Sequence, residues 1–313
     1  FWFYRILIEK HNLEISKPDL FFFTFLIALT VSSIYGVHPL ESIIGGSYRH
    51  QGVIFFVGLW LIGKTVNLLS IDQKKLLSKI FGAVVLVEVL IVIVQYLTGH
   101  LYFGKPLGTM GESNAVFGFL AMGVYFVTEN FPKFYLIPLY ILVLFSMSRS
   151  ALLSLVLSSG IFLGKLKSNF RKPMVLLVII LIIIATLYIT KGKGNSRLES
   201  RPVIWKIAVG EISKKSVLGY GAESGEFIFN KAFLNQDIYL ENIIIDRTHN
   251  LFLDIAMWSG IVGLIFFVGW MVLSFLGLES VESKFAFFAF LTYSMFQPLS
   301  IVHWILLVII INI

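Results

Sequence analysis

The chain has 313 residues, 57% of them hydrophobic and 14% charged, with no cysteine and a formal charge of +7 at pH 7; its mean hydropathy is +0.87. Apolar runs of about twenty residues recur along it, which excludes a soluble globular protein and places it among polytopic membrane proteins. The basic residues fall in short clusters between these runs, where the positive-inside rule accounts for them without nucleic acid, and the lack of cysteine excludes a disulfide framework or a Cys-based metal or redox site.

Taken in chain order, FWFYRILIEK opens the sequence without an initiator Met, and VHWILLVIIINI closes it inside an apolar run, so truncation at both ends stays open. No cleavable signal is visible, and the spans themselves would target the chain. The apolar runs predict helices near 20–37, 53–69, 80–97, 115–128, 134–147, 151–164, 173–190, 249–276, 285–297 and 303–313. The expected fold is therefore all-α, about ten transmembrane helices in one domain over 1–313. One set of connections carries Arg5, Lys10 and Lys17, then Lys74, Lys75 and Lys79, Lys133, Lys165, Lys167, Arg171 and Lys172, and Lys284. The opposite short loops hold Arg49, Lys105 and Arg149, and the asymmetry assigns the first set to the cytoplasm. The long polar segment 191–248 then lies outside as a loop domain within the membrane domain.

Inside that segment, ESRPVIWKIAVGEISKKS reads as a helix with Ser200 as N-cap, Pro202 in its first turn and Lys214 and Lys215 at its C-terminal end. Ile204, Ile207, Ala208 and Ile212 share one face with Trp205 beside them, which predicts a helix lying along the bilayer interface. The Gly-rich turn LGYGAESGEF breaks it.

Two motifs match by accident. GLWLIGKT, Gly58 to Thr65, fits the P-loop pattern, but these residues continue an apolar span, and Lys64 is expected to snorkel at its cytoplasmic end. GYGAES lacks the strand and helix that a dinucleotide fingerprint needs. With neither H-E-x-x-H nor a D-x-D pair, a metal site has no sequence support. Glu88 lies deep in a span with Gln95 on the same face; it is either a proton carrier in a transporter or a hydrogen-bonded carboxyl joining two helices, and the second reading is preferred.

The external side is different. Arg49 in IIGGSYRHQG, Arg149 in SMSRSALLS, and Arg201, Arg247 and His249 in the long segment stand singly at span ends where the topology rule disfavours positive charge. Guanidinium grips phosphate oxygens bidentately, so an embedded diphosphate on the outer face explains the set better than lipid anchoring. His249 opens a helix, whose dipole should keep its imidazole neutral and able to take a proton from a hydroxyl. Asn250 and Asp254, spaced i, i+4, could orient the ring or a sugar. The alternative is that Thr248, His249 and Asn250 merely satisfy the free N–H groups of the helix.

These pieces in this order resemble the O-antigen ligase family, membrane glycosyltransferases that include O-antigen polymerases and protein O-oligosaccharyltransferases. The resemblance rests on GGSYRHQG (45–52), GTMGESNAVFGFLAMG (108–123) with Asn114, SMSRSALLSLVLSSG (146–160), RPVIWKIA (201–208) with Arg201 and Trp205, GYGAES, and THNLFLDIAMWSGIVGLI. It implies a GT-C-like fold of many transmembrane helices with an external loop domain, in the bacterial inner (plasma) membrane with the active site facing the periplasm or exterior. The implied activity is transfer of a glycan from a polyprenyl diphosphate, usually undecaprenyl diphosphate, to a hydroxyl of a lipid, glycan or protein acceptor in surface-polysaccharide assembly. His249 would be the general base, Arg149, Arg201 and Arg49 would hold the diphosphate, and Asn250, Asp254, Trp205 and Asn114 would support substrate; neither metal nor other cofactor is implied. A flippase or other transporter, motivated by Glu88, Gln95 and Asp254 within spans, is the competing reading.

Overall fold

The computed structural model describes residues 15–146, 148–165, 201–234 and 245–313. The expected span 173–190, the Ser200 cap and the parts of the external segment at 191–200 and 235–244 lie outside the described residues. Among those described, the protein is all-helical, with no strand beyond an isolated bridge between Tyr102 and Lys105. The helices are α1 (Lys17–Ile34), α2 (Pro39–Ile44), α3 (Val53–Asn67), α4 (Ile71–Thr98), α5 (Ser113–Asn130), α6 (Leu136–Phe145), α7 (Arg149–Lys165), α8 (Arg201–Lys214), α9 (Gly225–Leu234), α10 (Leu251–Gly277), α11 (Val281–Ser294) and α12 (Ile301–Asn312). Three of them, α1, α4 and α10, are long and apolar enough to cross a membrane; α3, α6, α7 and α12 are shorter apolar helices.

Local chemistry sets the helix starts. Ser16 and Asp19 form a capping box ahead of α1, with Pro18 in the first turn, and Ser70 and Gln73 do the same for α4. Asn250 caps α10: its side-chain oxygen accepts from Phe252 N at 3.1 Å and Leu253 N at 3.2 Å.

The helices pack on aromatic and small residues. Phe25 meets Phe56 edge-on at 5.6 Å and Phe267 at 5.2 Å, while Phe56 meets Trp304 at 5.4 Å, so α1, α3, α10 and α12 share one aromatic seam. Helix α5 is buried at every position from Ala115 to Val127. A Cβ at Gly118 would fall 2.2 Å from the Tyr293 ring, which is how α11 comes so close. Helix α7 adds polar ties, Ser154 donating to Ala289 O at 2.9 Å and Ser158 to Ala121 O at 2.7 Å. Without water as a competing partner, such hydroxyl-to-carbonyl bonds hold apolar helices in register.

The apolar run 249–276 is expected to be one uninterrupted helix, but α10 is broken at Gly260, whose φ is +64°. The segment Ser216–Gly221 lies across the break: Tyr220 N donates to Met257 O and Gly221 N to Trp258 O, both at 2.9 Å, and Ile261 N donates to Ser216 O at 2.8 Å. A Cβ on Gly260 would stand 2.1 Å from Val217 O. The glycines of the GYG turn are thus a packing device that satisfies the backbone groups freed by the kink.

Two further expectations are corrected. The apolar face of α8 is not turned to the bilayer interface; Ile204 and Ala208 are buried against Tyr220, Phe229, Phe233 and Met257, so α9 and α10 cover it. Lys64 does not snorkel. It is 6% exposed and paired with Asp19, whose other oxygen accepts from Trp60 Nε1 at 3.0 Å. An ammonium at this depth costs less when a carboxylate of α1 meets it than when it must reach water alone. This polar pair borders a cavity of about 210 Å³ with Ser16, Trp270 and Asn312, at the end of the helices opposite to His249.

Candidate functional site

The segment Asp246–Asn250 enters α10 through an unusual backbone. His249 has φ +59°, and Glu223 at +55° and His50 at +54° share that left-handed region, which bulky side chains seldom occupy. Neighbouring bonds over-determine each bend. Asp254 accepts from both Thr248 N and Thr248 Oγ1 at 2.8 Å, and Asn250 N donates back to Thr248 Oγ1 at 3.1 Å. Trp205 Nε1 of α8 donates to Thr248 O at 2.8 Å, tying that helix to the residue before His249. Asn250 and Asp254 therefore act on the backbone around the histidine, as cap and as anchor, rather than on its ring.

Beside this turn, partly buried acids hold the connecting segments together. Glu223 accepts from Gly46 N, from Gln51 N at 2.7 Å and from Arg247 Nη2 at 3.1 Å, while Arg247 lies 4.1 Å over the Trp258 ring. Gln51 Nε2 reaches Leu299 O at 2.6 Å. Asp246 takes two bonds from Arg49, at 2.5 and 3.3 Å, and Arg49 Nη1 is 3.9 Å from Glu112. Burial raises the Asp246 carboxyl, but the Arg49 bonds outweigh it and hold the group below the usual aspartate range. Burial pushes the Glu112 carboxyl up despite Arg49. Four residues of this lattice, Glu112, Glu223, Asp246 and Gln51, are not among the candidates read from the sequence, because a polar residue in a loop shows its partner only when the chain is folded.

Two of the candidate cations, Arg201 and Arg49, are near enough to act on His249. Burial lowers the His249 imidazole below its ordinary value, and the nearby charges of Arg201 and Arg49 lower it further, against the opposing charge of Asp246. Its Nδ1 is enclosed and has no hydrogen-bond partner. Arg201 is half-buried and pulled down by burial and by Arg149, the residue that opens α7 with an exposed side chain. Among the described residues no carboxylate forms an ion pair with Arg201, and its guanidinium lies 6.0 Å over the Phe296 ring. So the charge of Arg201 acts on His249 and feels that of Arg149, and no acid among the described residues pairs with Arg201, whereas the Arg49 fork is already engaged by Asp246. Asn114 lies in the first turn of α5, two residues from Glu112, with its carbonyl accepting from Tyr293 Oη at 3.0 Å.

Like-charged guanidinium groups gathered around a neutral imidazole can hold a polyanion and take a proton from a hydroxyl beside it. Among the described residues the protein is all-helical, with three helices long and apolar enough to cross a membrane, and the cluster stands where the connections between helices meet. Residues 134–268 match the family model described as O-antigen ligase, which makes this stretch O-antigen-ligase-like and supports glycan transfer of that general type. The match contains Arg149, Arg201, Trp205, His249, Asn250 and Asp254, and leaves Arg49 and Asn114 outside it. No curated protein and no solved structure matches the chain.

Proposed function

We propose that the protein transfers a glycan from a polyprenyl diphosphate, such as undecaprenyl diphosphate, to an acceptor hydroxyl at the outer face of the bacterial plasma membrane. The chain would cross that membrane about ten times, with the segment around 191–248 outside. The observation that carries the reading is the His249 imidazole, held below its ordinary pKa by burial and then by the charge of Arg201, an arginine that pairs with no acid among the described residues.

In this reaction His249 takes the acceptor's proton as the acceptor oxygen attacks the anomeric carbon and forms the glycosidic bond. The bond between that carbon and the diphosphate oxygen breaks, and the oxygen leaves with the electron pair. Arg201 and Arg149 meet its growing charge with guanidinium groups already in place, a contribution of about a hundred- to a thousandfold per donor. Arg49, held by Asp246, shapes the same wall. The donor is activated by its own diphosphate, so the reading calls for neither nucleotide nor metal.

The test is transfer from a polyprenyl-diphosphate-linked glycan by purified protein in EDTA. His249→Ala and Arg201→Gln should each lose activity by about a hundredfold or more; wild-type rates in His249→Ala, or abolition of wild-type activity by chelation, would overturn the mechanism. The transport reading loses its motive groups: Glu88 accepts from Thr109 N and Oγ1, Gln95 bonds Gly108, and Asp254 bonds Thr248.

A further inference from the structure

The turn after α11 forms a wall of the site that no motif marks and that lies beyond the family match. On α8, Arg201 and Trp205 stand one helical turn apart and share a face. Phe296 of the turn packs across that face: its ring lies 6.4 Å from the Trp205 ring, tilted by 33°, and 6.0 Å from the guanidinium carbon of Arg201. Hydrogen bonds fix the parts around it. Trp205 Nε1 donates to Thr248 O at 2.8 Å and Asn250 Nδ2 donates to Met295 O at 3.4 Å, so the residues on both sides of His249 are tied to this wall. Phe296 N donates to Tyr293 O at 3.1 Å, which carries the end of α11 into the turn.

Two arginines of this region are held in opposite ways. Asp246 takes the Nε and Nη2 hydrogens of Arg49, which neutralises that guanidinium and uses the donors that would grip a phosphate. Arg201 pairs with no carboxylate among the described residues; the contact its guanidinium makes is with the Phe296 ring. The negative face of an aromatic ring attracts a cation without accepting from its N–H groups and without cancelling its charge. At 6.0 Å the contact orients the side chain rather than clamping it. We infer that Phe296 is the positioning residue of Arg201, its ring holding the guanidinium at the aromatic wall with charge and hydrogen-bond fork still open for the diphosphate of the donor. A carboxylate in its place would fasten Arg201 more firmly and, as at Arg49, close the fork.

This inference rests on Arg201 holding the diphosphate, and the experiment separates the two. Wild type, Phe296→Leu, Phe296→Tyr, a trifluorophenylalanine in place of Phe296, Arg201→Gln and the double variant Phe296→Leu with Arg201→Gln are compared as full chains in nanodiscs. Transfer from a polyprenyl-diphosphate-linked glycan is measured, with kcat and KM taken separately for donor and acceptor. Fluorination drains the negative face but keeps the ring, so it removes the attraction and leaves the packing. Phe296→Leu and the fluorinated ring should each lose about three- to tenfold in kcat/KM for the donor, the range of a partly desolvated cation–π contact, with KM for the acceptor unchanged. Phe296→Tyr should keep most of the wild-type value. In the Arg201→Gln background, Phe296→Leu should cost nothing more. Wild-type kinetics with the fluorinated ring, or an equal loss from Phe296→Leu with and without Arg201, would overturn the role of Phe296 alone. Wild-type rates in Arg201→Gln would sink the diphosphate assignment beneath it.

Discussion

The Arg247 guanidinium lies 4.1 Å above the Trp258 ring. That contact places a cation, 4% exposed, inside the protein at the mouth of α10, where Glu223 neutralises it and also binds the loop after α2 through Gly46 and Gln51. One acid thus sets three segments in register, which is why the turn holding His249 has a fixed place relative to Arg49.

Breaking this pair from one side leaves a buried charge. Arg247→Ala should destabilise the protein by about 3–5 kcal/mol, read as a lowered unfolding midpoint in detergent. The double change Arg247→Met with Glu223→Gln should recover much of that loss, since it leaves no uncompensated ion.

The imidazole of His249 is held below its ordinary pKa by burial first and by Arg201 next. Its neutral, basic form therefore persists below pH about 6.5, and the acid limb of the rate profile should lie under that value. Arg201→Gln removes a cation that disfavours imidazolium and should move the limb to higher pH in the residual activity. Asp246→Asn removes a favourable charge and should move it lower.

At the far end of the bundle, Lys64→Met strands Asp19 in the packed interface of α1 and α3. The expected cost is again about 3–5 kcal/mol, and adding Asp19→Leu should restore much of it. Transfer activity per folded molecule should be unaffected, because the pair lies at the opposite end from His249.

Glu88 and Thr109 make a two-bond contact between α4 and the loop leading to α5. Glu88→Ala should cost about 1–3 kcal/mol by removing both hydrogen bonds that tie this loop to α4. In a double-mutant cycle with Thr109→Val the two losses should be well below additive. Proton flux into liposomes unaffected by Glu88→Gln is expected of a structural carboxyl.

Much of the architecture was legible in the sequence. Each expected apolar run except 173–190, which lies outside the described residues, falls on a helix, and three of these helices, α1, α4 and α10, are long and apolar enough to cross a membrane, because such a helix must carry its apolarity continuously through its own residues. The arginines and His249 were legible for a related reason: a charge at the end of such a run is conspicuous. The break at Gly260, the burial of the α8 face and the pairing of Lys64 were not, since each depends on what a distant segment places beside it.

From the sequence alone came the helices and the polar residues at their ends, which are properties of one stretch of chain at a time. Tertiary structure decided which of those residues face one another: Asp246 on Arg49 and Glu223 on Arg247, partners 197 and 24 positions apart. Hydrogen bonds and ion pairs act over a few ångströms of space without regard to separation along the chain, so the chemistry of the site exists only once the helices have packed.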